Sequence, residues 1–111
     1  MRPTRWYSDK QEKSIVKEIG GRQTSNSGAT PWQKGDVLTK QFLIEAKTCT
    51  VEKQSFSVPK RWLEKMQEEA FAMGKQYAAL AFDYGDGINH YVIDEKLFKH
   101  LVESLEKEEL Q

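Results

Sequence analysis

Two acids and a lysine, Asp36, Glu45 and Lys47, stand within a stretch of twelve residues that has the pattern of a β-hairpin. In GDVLTKQFLIEAK, two short β-prone runs flank a polar Thr39-Lys40-Gln41 centre. With Lys40 and Gln41 as a two-residue loop, Asp36 falls directly opposite Glu45, their Cβ atoms ~5 Å apart on one face. No Gly or Asn marks the turn, so this register is an expectation. Lys47 lies two residues beyond Glu45 and is turned by the pleat to that same face, whereas Ile44 and Ala46 point to the other.

Adjacent carboxylates repel, and a divalent cation between them converts the repulsion into binding. Magnesium suits such a pair because it prefers oxygen ligands and keeps several waters for a substrate phosphate. An ion so held can polarise a phosphodiester and lower the pKa of an attacking water. Lys47 would position or deprotonate that water, or steady charge in the transition state. The competing reading is a solvated face stitched by one surface ion pair worth ~0.5 kcal/mol. Taken as a bare D-x8-E-x-K pattern, that reading is the stronger, because acids and lysines are abundant in this chain.

Glu12 adds weight to the chemical reading. It precedes Ile15, Val16 and Ile19 by three, four and seven residues, so a helix would turn it to the face that packs inward. Acids are seldom buried alone. Glu12 therefore either meets an Arg or a backbone amide, or completes a metal site with Asp36 and Glu45.

Positioning these groups requires a framework, and the sequence predicts one of order αβββαββα. Ser8 to Gln11 reads as an S-x-x-Q capping box opening a first helix that Gly20 and Gly21 end. Residues 22–34, RQTSNSGATPWQK, read as an exposed polar loop. After the hairpin, SFSV at 55–58 is expected to be a third strand. Pro59 then opens a helix with an apolar stripe of Trp62, Leu63, Met66, Ala70 and Met73, stopped by Gly74. QYAALAFDY reads as a buried strand, GDG at 85–87 as a turn, and INHYVI as its hairpin partner. Asp94 can cap a last helix that carries Leu97, Phe98, Leu101, Val102 and Leu105 on one side.

A chain of 111 residues fits a single domain, 1–111, with 1–7 and 107–111 expected as flexible tails. No apolar run approaches the ~20 residues of a membrane span, and the N-terminus lacks a secretory signal, which predicts a soluble, cytoplasmic protein. Cys49 stands alone, so no internal disulfide can form. The zero net charge hides a division. Residues 1–65 hold 13 Lys and Arg against 7 Asp and Glu, net +6, and residues 66–111 hold the compensating −6. A basic half can face a polyanion, although on charge alone two ordinary solvated faces are the stronger reading.

Glu12, the Gly20-Gly21 pair, SGA at 27–29, KGDV at 34–37, LIEAKT at 43–48, SFSV and WLEKMQEEA together resemble the PD-(D/E)XK nuclease superfamily. Within it, the chain is similar to the small phage-type and archaeal-type Holliday junction resolvases over roughly residues 9–98. The resemblance implies a restriction-endonuclease-like αβββαβ core with a mixed central β-sheet flanked by helices, followed here by an extra strand and helix. It further implies a Mg2+- or Mn2+-dependent DNA endonuclease acting in DNA recombination on branched DNA, as a homodimer, in the cytosol of a bacterium or a phage-infected host. Asp36 matches the motif's first acid, Glu45 the second, Lys47 its lysine and Glu12 the helix-one glutamate of the resolvases. Asp36, Glu45, the backbone carbonyl of Ala46 and Glu12 would be the metal ligands, and Ser27 sits where those enzymes place a serine near the scissile strand. Gly35 stands where the literal motif has Pro.

Further contacts to DNA would come from Arg22 and Lys34 beside the polar loop, from Arg5 among the cations and aromatics of the N-terminus, and from Lys60 on the second helix. Gln67 is an auxiliary candidate for the metal side, with solvent exposure as the simpler fate. His90, His100 and Cys49 read as structural. Two alternatives remain: a nicking, single-strand or flap endonuclease of the same fold, and a non-catalytic DNA-binding module whose carboxylates form an ion-pair network.

Overall fold

A computed structural model describes residues 2–24 and 36–109. Three helices and a five-stranded mixed sheet follow one another as α1 (Thr4–Ile19), β1 (Arg22–Gln23), β2 (Asp36–Leu38), β3 (Phe42–Lys47), α2 (Lys60–Ala72), β4 (Tyr77–Phe82), β5 (His90–Val92) and α3 (Glu95–Glu109). The strands lie in the sheet in chain order, β1-β2-β3-β4-β5. Only β3 and β4 are parallel, and α2 provides the crossover that a parallel pair demands. No helix among the described residues is long and apolar enough to cross a membrane.

Period-2 alternation along β2, β3 and β4 divides the core into two layers. On one face, Leu38, Leu43, Ala78 and Leu80 pack with Met66 and Ala70 of α2. On the other, Val37, Ile44 and Ala81 pack with Ile15 of α1. Each strand residue therefore belongs to a known layer, which fixes the address of every charged side chain on the same strands.

The element order agrees with the sequence expectation, but one strand differs. SFSV at 55–58 is not a strand; the extra strand is β1, within the stretch expected to be loop. Residues 55–58 have no regular secondary structure, and alternate side chains, Phe56 and Val58, are half-buried. Phe56 stacks on Phe82 with ring centroids 4.7 Å apart, and Val58 packs against the α2-side core. Between the directly paired β3 and β4 there is no place for another strand, so the segment lies over the sheet without joining its ladder. β1 forms because Gly21 takes φ +87° and lets the chain close on β2; a Cβ there would collide with the Leu38 carbonyl.

The first helix also starts earlier than its capping box predicts. Helical residues begin at Thr4, and Ser8 sits inside the helix with its hydroxyl donating to the Arg5 carbonyl at 3.1 Å. Residues 4–7 are thus a helical turn and not a tail, with the Trp6 ring flanked by Arg2 at 4.3 Å and Lys10 at 5.2 Å. At the other end Asp94 caps α3 as expected, accepting from the Leu97 N–H at 2.8 Å. α3 continues through Glu109, so the expected tail at 107–111 is helical over its described part.

Candidate active site

The β2–β3 hairpin has the register predicted from its two-residue loop: Asp36 pairs with Glu45, Val37 with Ile44 and Leu38 with Leu43. Thr39 closes the turn, its N–H donating to the Phe42 carbonyl at 3.0 Å and its hydroxyl accepting from the Phe42 N–H at 3.0 Å. Those bonds replace the glycine chemistry that the loop lacks. Asp36 and Glu45 consequently share one face of the sheet, the face covered by α2, and Lys47 shares it two residues further on.

Glu45 is only 1% exposed, and Asp36 is half-buried. The Lys47 ammonium lies 3.6 Å from Glu45 Oε1 and 4.2 Å from the centroid of the Trp62 ring. Trp62 stands in the first turn of α2, and its ring is backed by Phe56, which stacks in turn on Phe82. A row of three aromatics therefore underlies the lysine and limits where its head can go. Sequence reading missed Trp62 and Phe56 as site residues; the Phe56 that directly follows a polar run and the Trp62 three residues after Pro59 were visible, but not their convergence on Lys47.

Asp36 is held by its backbone. Its N–H donates to the Thr24 hydroxyl at 3.1 Å, and its carbonyl accepts from the Thr24 N–H at 2.8 Å. Among the described residues Asp36–Glu45 is the hairpin pair farthest from the turn, and Ala46 and Lys47 continue β3 beyond it.

Glu12 is buried, 2% exposed, as its helical spacing predicts. Its side-chain hydrogen bond comes from an amide, with Gln23 Nε2 donating to Glu12 Oε1 at 3.3 Å and to Asp9 Oδ1 at 3.0 Å, and the Arg5 charge also acts on it. Burial raises the Glu12 pKa above its ordinary value, opposed by the Gln23 hydrogen bond and reinforced by the nearby Asp9 charge. Asp9 goes the other way, lowered by its hydrogen bonds to Gln23 and Lys13. Glu12 belongs to the α1 layer, on the Val37 and Ile44 side, whereas Asp36 and Glu45 face α2. Its link to Asp36 runs through β1: Gln23 holds the glutamate, and the next residue, Thr24, clamps Asp36.

Among the remaining candidates, Arg22 pairs across from Leu38, which places it on the α2 face beside the carboxylates, and it is exposed. Lys60 opens α2 on that same side, two residues before Trp62, and is exposed. Arg5 is exposed in the α1 layer. Gln67 is directed elsewhere: its amide reaches Asp94 at the start of α3, 3.5 Å away. Ser27 and Lys34 lie outside the described residues. Cys49 is buried, and desolvation pushes its thiol up, which keeps it protonated. His90 packs among Phe82 and Tyr84, and His100 stacks on Tyr77.

No group of three or more His, Cys, Asp and Glu among the described residues is arranged to hold a metal ion. The donor set that is present, two carboxylates opposite each other on neighbouring strands, matches what magnesium asks of a protein when a substrate phosphate and water complete its shell. The pair offers oxygen donors, the type that a hard cation takes.

In comparisons with known proteins, the chain matches no family model, no curated protein and no solved structure.

Proposed function

We propose that the chain is a divalent-metal-dependent DNA endonuclease of PD-(D/E)XK type, selective for branched DNA in the manner of a Holliday junction resolvase. The observation that carries this reading is the β2–β3 register, which sets Asp36 against Glu45 with Lys47 on the same face. The basic first half of the chain supports DNA as the polyanion.

In this reading Asp36 and Glu45 would hold Mg2+ or Mn2+ together with the Ala46 carbonyl. The ion would supply Lewis-acid stabilisation of charge on the phosphate oxygens. Lys47, confined by the Trp62 ring and Glu45, presents a fixed positive charge and a donor to water approaching the phosphorus. Water adds through oxygen, one P–O ester bond breaks, and the products are a phosphomonoester and an alcohol that takes up a proton. Glu12 is a positioning residue, acting through Gln23 and Thr24 on the Asp36 backbone. Arg22 and Lys60, on the same side of the sheet, would contact the phosphates that flank the cut.

The test is cleavage of end-labelled four-way junction, flap, single-stranded and linear duplex DNA with magnesium or manganese, beside an Asp36→Asn control. Paired symmetric cuts in the junction alone, lost in the control, are expected. Cutting of flaps or single strands instead would keep the nuclease and discard its junction selectivity. Binding of DNA without metal-dependent cutting of any substrate would overturn the enzyme in favour of a binding module.

A further inference from the structure

α3 is amphipathic, but the rest of the described chain covers little of it. Leu97 at its first turn is 5% exposed, whereas Phe98 is 60%, Leu101 42% and Leu105 62% exposed. At 100° per residue these last three lie within a narrow arc, with half-buried Val102 at its edge. A stripe of large apolar side chains along an exposed helix marks a contact surface.

The charges beside the stripe say what fits it. Lys96 and Lys99 lie with Glu95 in the first half of α3, net +1, and Glu103, Glu106 and Glu108 lie with Lys107 in the second, net −2. A parallel partner helix of the same sequence would set like charge against like, and an antiparallel one sets basic against acidic. Lys99 and Glu106 are seven residues apart, two helical turns, and so occupy the same flank of the stripe. Neither takes part in an ion pair among the described residues.

We propose that α3 pairs with α3 of a second copy, antiparallel about a two-fold axis near Leu101 and Val102, with Phe98 packing over the partner's Leu105 and Lys99 bonding the partner's Glu106. The geometry is self-complementary, as a two-fold interface requires. Helical side chains lean toward their own N-terminus, so in antiparallel helices Lys99 and the partner's Glu106 lean toward each other. Each contact occurs twice, and the apolar stripe is covered by its own copy.

Sedimentation equilibrium across a concentration series tests this independently of the nuclease reading, since it reports association and not cleavage. The intact chain should be a monomer–dimer system. The double variant Phe98→Glu/Leu105→Glu should be monomeric throughout, with an unchanged circular dichroism spectrum because both side chains are more than half exposed. Lys99→Glu alone and Glu106→Lys alone should each raise the dissociation constant about ten-fold. The combined Lys99→Glu/Glu106→Lys variant should return it to within about two-fold of the original. A monomeric parent chain, or a combined variant no tighter than the single ones, would overturn the proposal.

Discussion

On the α1 face of the sheet, beside the buried Glu12, a partly buried cluster of amides and hydroxyls is joined donor to acceptor, whereas on the α2 face two carboxylates stand side by side beneath a lysine laid over an indole. On the first face Thr48 donates to Gln11 at 2.7 Å, Gln11 to Asn89 at 3.1 Å, Asn89 to the Ser14 hydroxyl at 2.9 Å and Ser14 to the Gln11 carbonyl at 2.8 Å. That chain ties α1 to the end of β3 and to the turn before β5, and every member is neutral. A satisfied neutral network of this kind fixes one geometry and stabilises the fold. On the second face, half-buried Asp36 stands opposite buried Glu45, two like charges whose repulsion the Lys47 ammonium, 3.6 Å from Glu45, offsets in part. The contrast separates a lock from a site: one polar cluster repays its burial in stability, and the other needs a further reason for its composition.

On the proposed reading, the largest effect that sharpens this contrast is loss of cleavage. Lys47→Ala should slow junction cutting by on the order of 100- to 10,000-fold, and Asp36→Asn by at least as much. Asp36→Asn, a change of nearly equal shape, should leave the chain folded, with a melting temperature within about 5 °C of the parent. A melting temperature lowered by many degrees in parallel with activity would instead make the carboxylate pair structural and erase the distinction between the faces.

Gln11→Ala should do the reverse. It leaves the Thr48 hydroxyl and the Asn89 amide without their partner in a buried network, a cost of about 2 kcal/mol in denaturant unfolding. Cleavage per folded molecule should stay within about two-fold of the original. Unchanged stability together with lost activity would move the network into the site.

Trp62→Leu falls between the two regions. It keeps an apolar cap over the core but removes the ring face beneath the Lys47 ammonium. A cation–π contact of this kind contributes about 1 kcal/mol, so cleavage should drop several-fold. The drop should be absent in a Lys47→Ala background, since both changes then act on the same group; an additive loss would show that Trp62 serves DNA by another route.

The part of the site carried by the hairpin was legible because two simple periodicities determine it. A two-residue loop fixes which residues pair, and the pleat fixes which face they share, so Asp36, Glu45 and Lys47 could be placed together before any tertiary contact was considered. Burial of Glu12 was legible for the corresponding helical reason. Its partner was not, because Gln23 belongs to a two-residue strand of polar composition that carries no period at all. The alternation in SFSV correctly marks a segment with one inward side, but alternation reports burial and not hydrogen bonding, and Phe56 and Val58 are half-buried by packing against the core without joining the ladder. Trp62 reaches Lys47 only because α2 crosses that end of the sheet, a long-range placement that a local pattern does not contain. α3 shows the same limit: its apolar stripe was readable, while what covers it depends on surfaces that the stripe does not name.

The smallest expected effect tests whether Glu12 belongs to the lock or to the site. Desolvation holds its carboxyl above the ordinary value of 4.5, so the folded chain binds this proton more firmly than the unfolded chain does. The stabilisation is complete below pH 4.5 and is lost as pH rises through the folded value, where the buried group must ionise. Glu12→Gln, which keeps a side-chain oxygen for Gln23 and cannot ionise, should therefore be more stable than the parent chain at neutral pH and lose that advantage as pH falls below 4.5. Asp9→Asn should show the opposite sign, because the hydrogen bonds of Asp9 favour its ionised form and stabilise the fold at neutral pH. Melting curves of the three proteins in the presence of a chelator, taken from pH 3.5 to 7.5 in about one-unit steps, resolve the two signs. An advantage of Glu12→Gln that persists unchanged at the acid end would mean that the gain comes from packing and not from the charge. A neutral-pH loss would mean that the ionised carboxylate is held by a cation of the protein, and Glu12 would then join the charged cluster on the far side of the sheet in character if not in position.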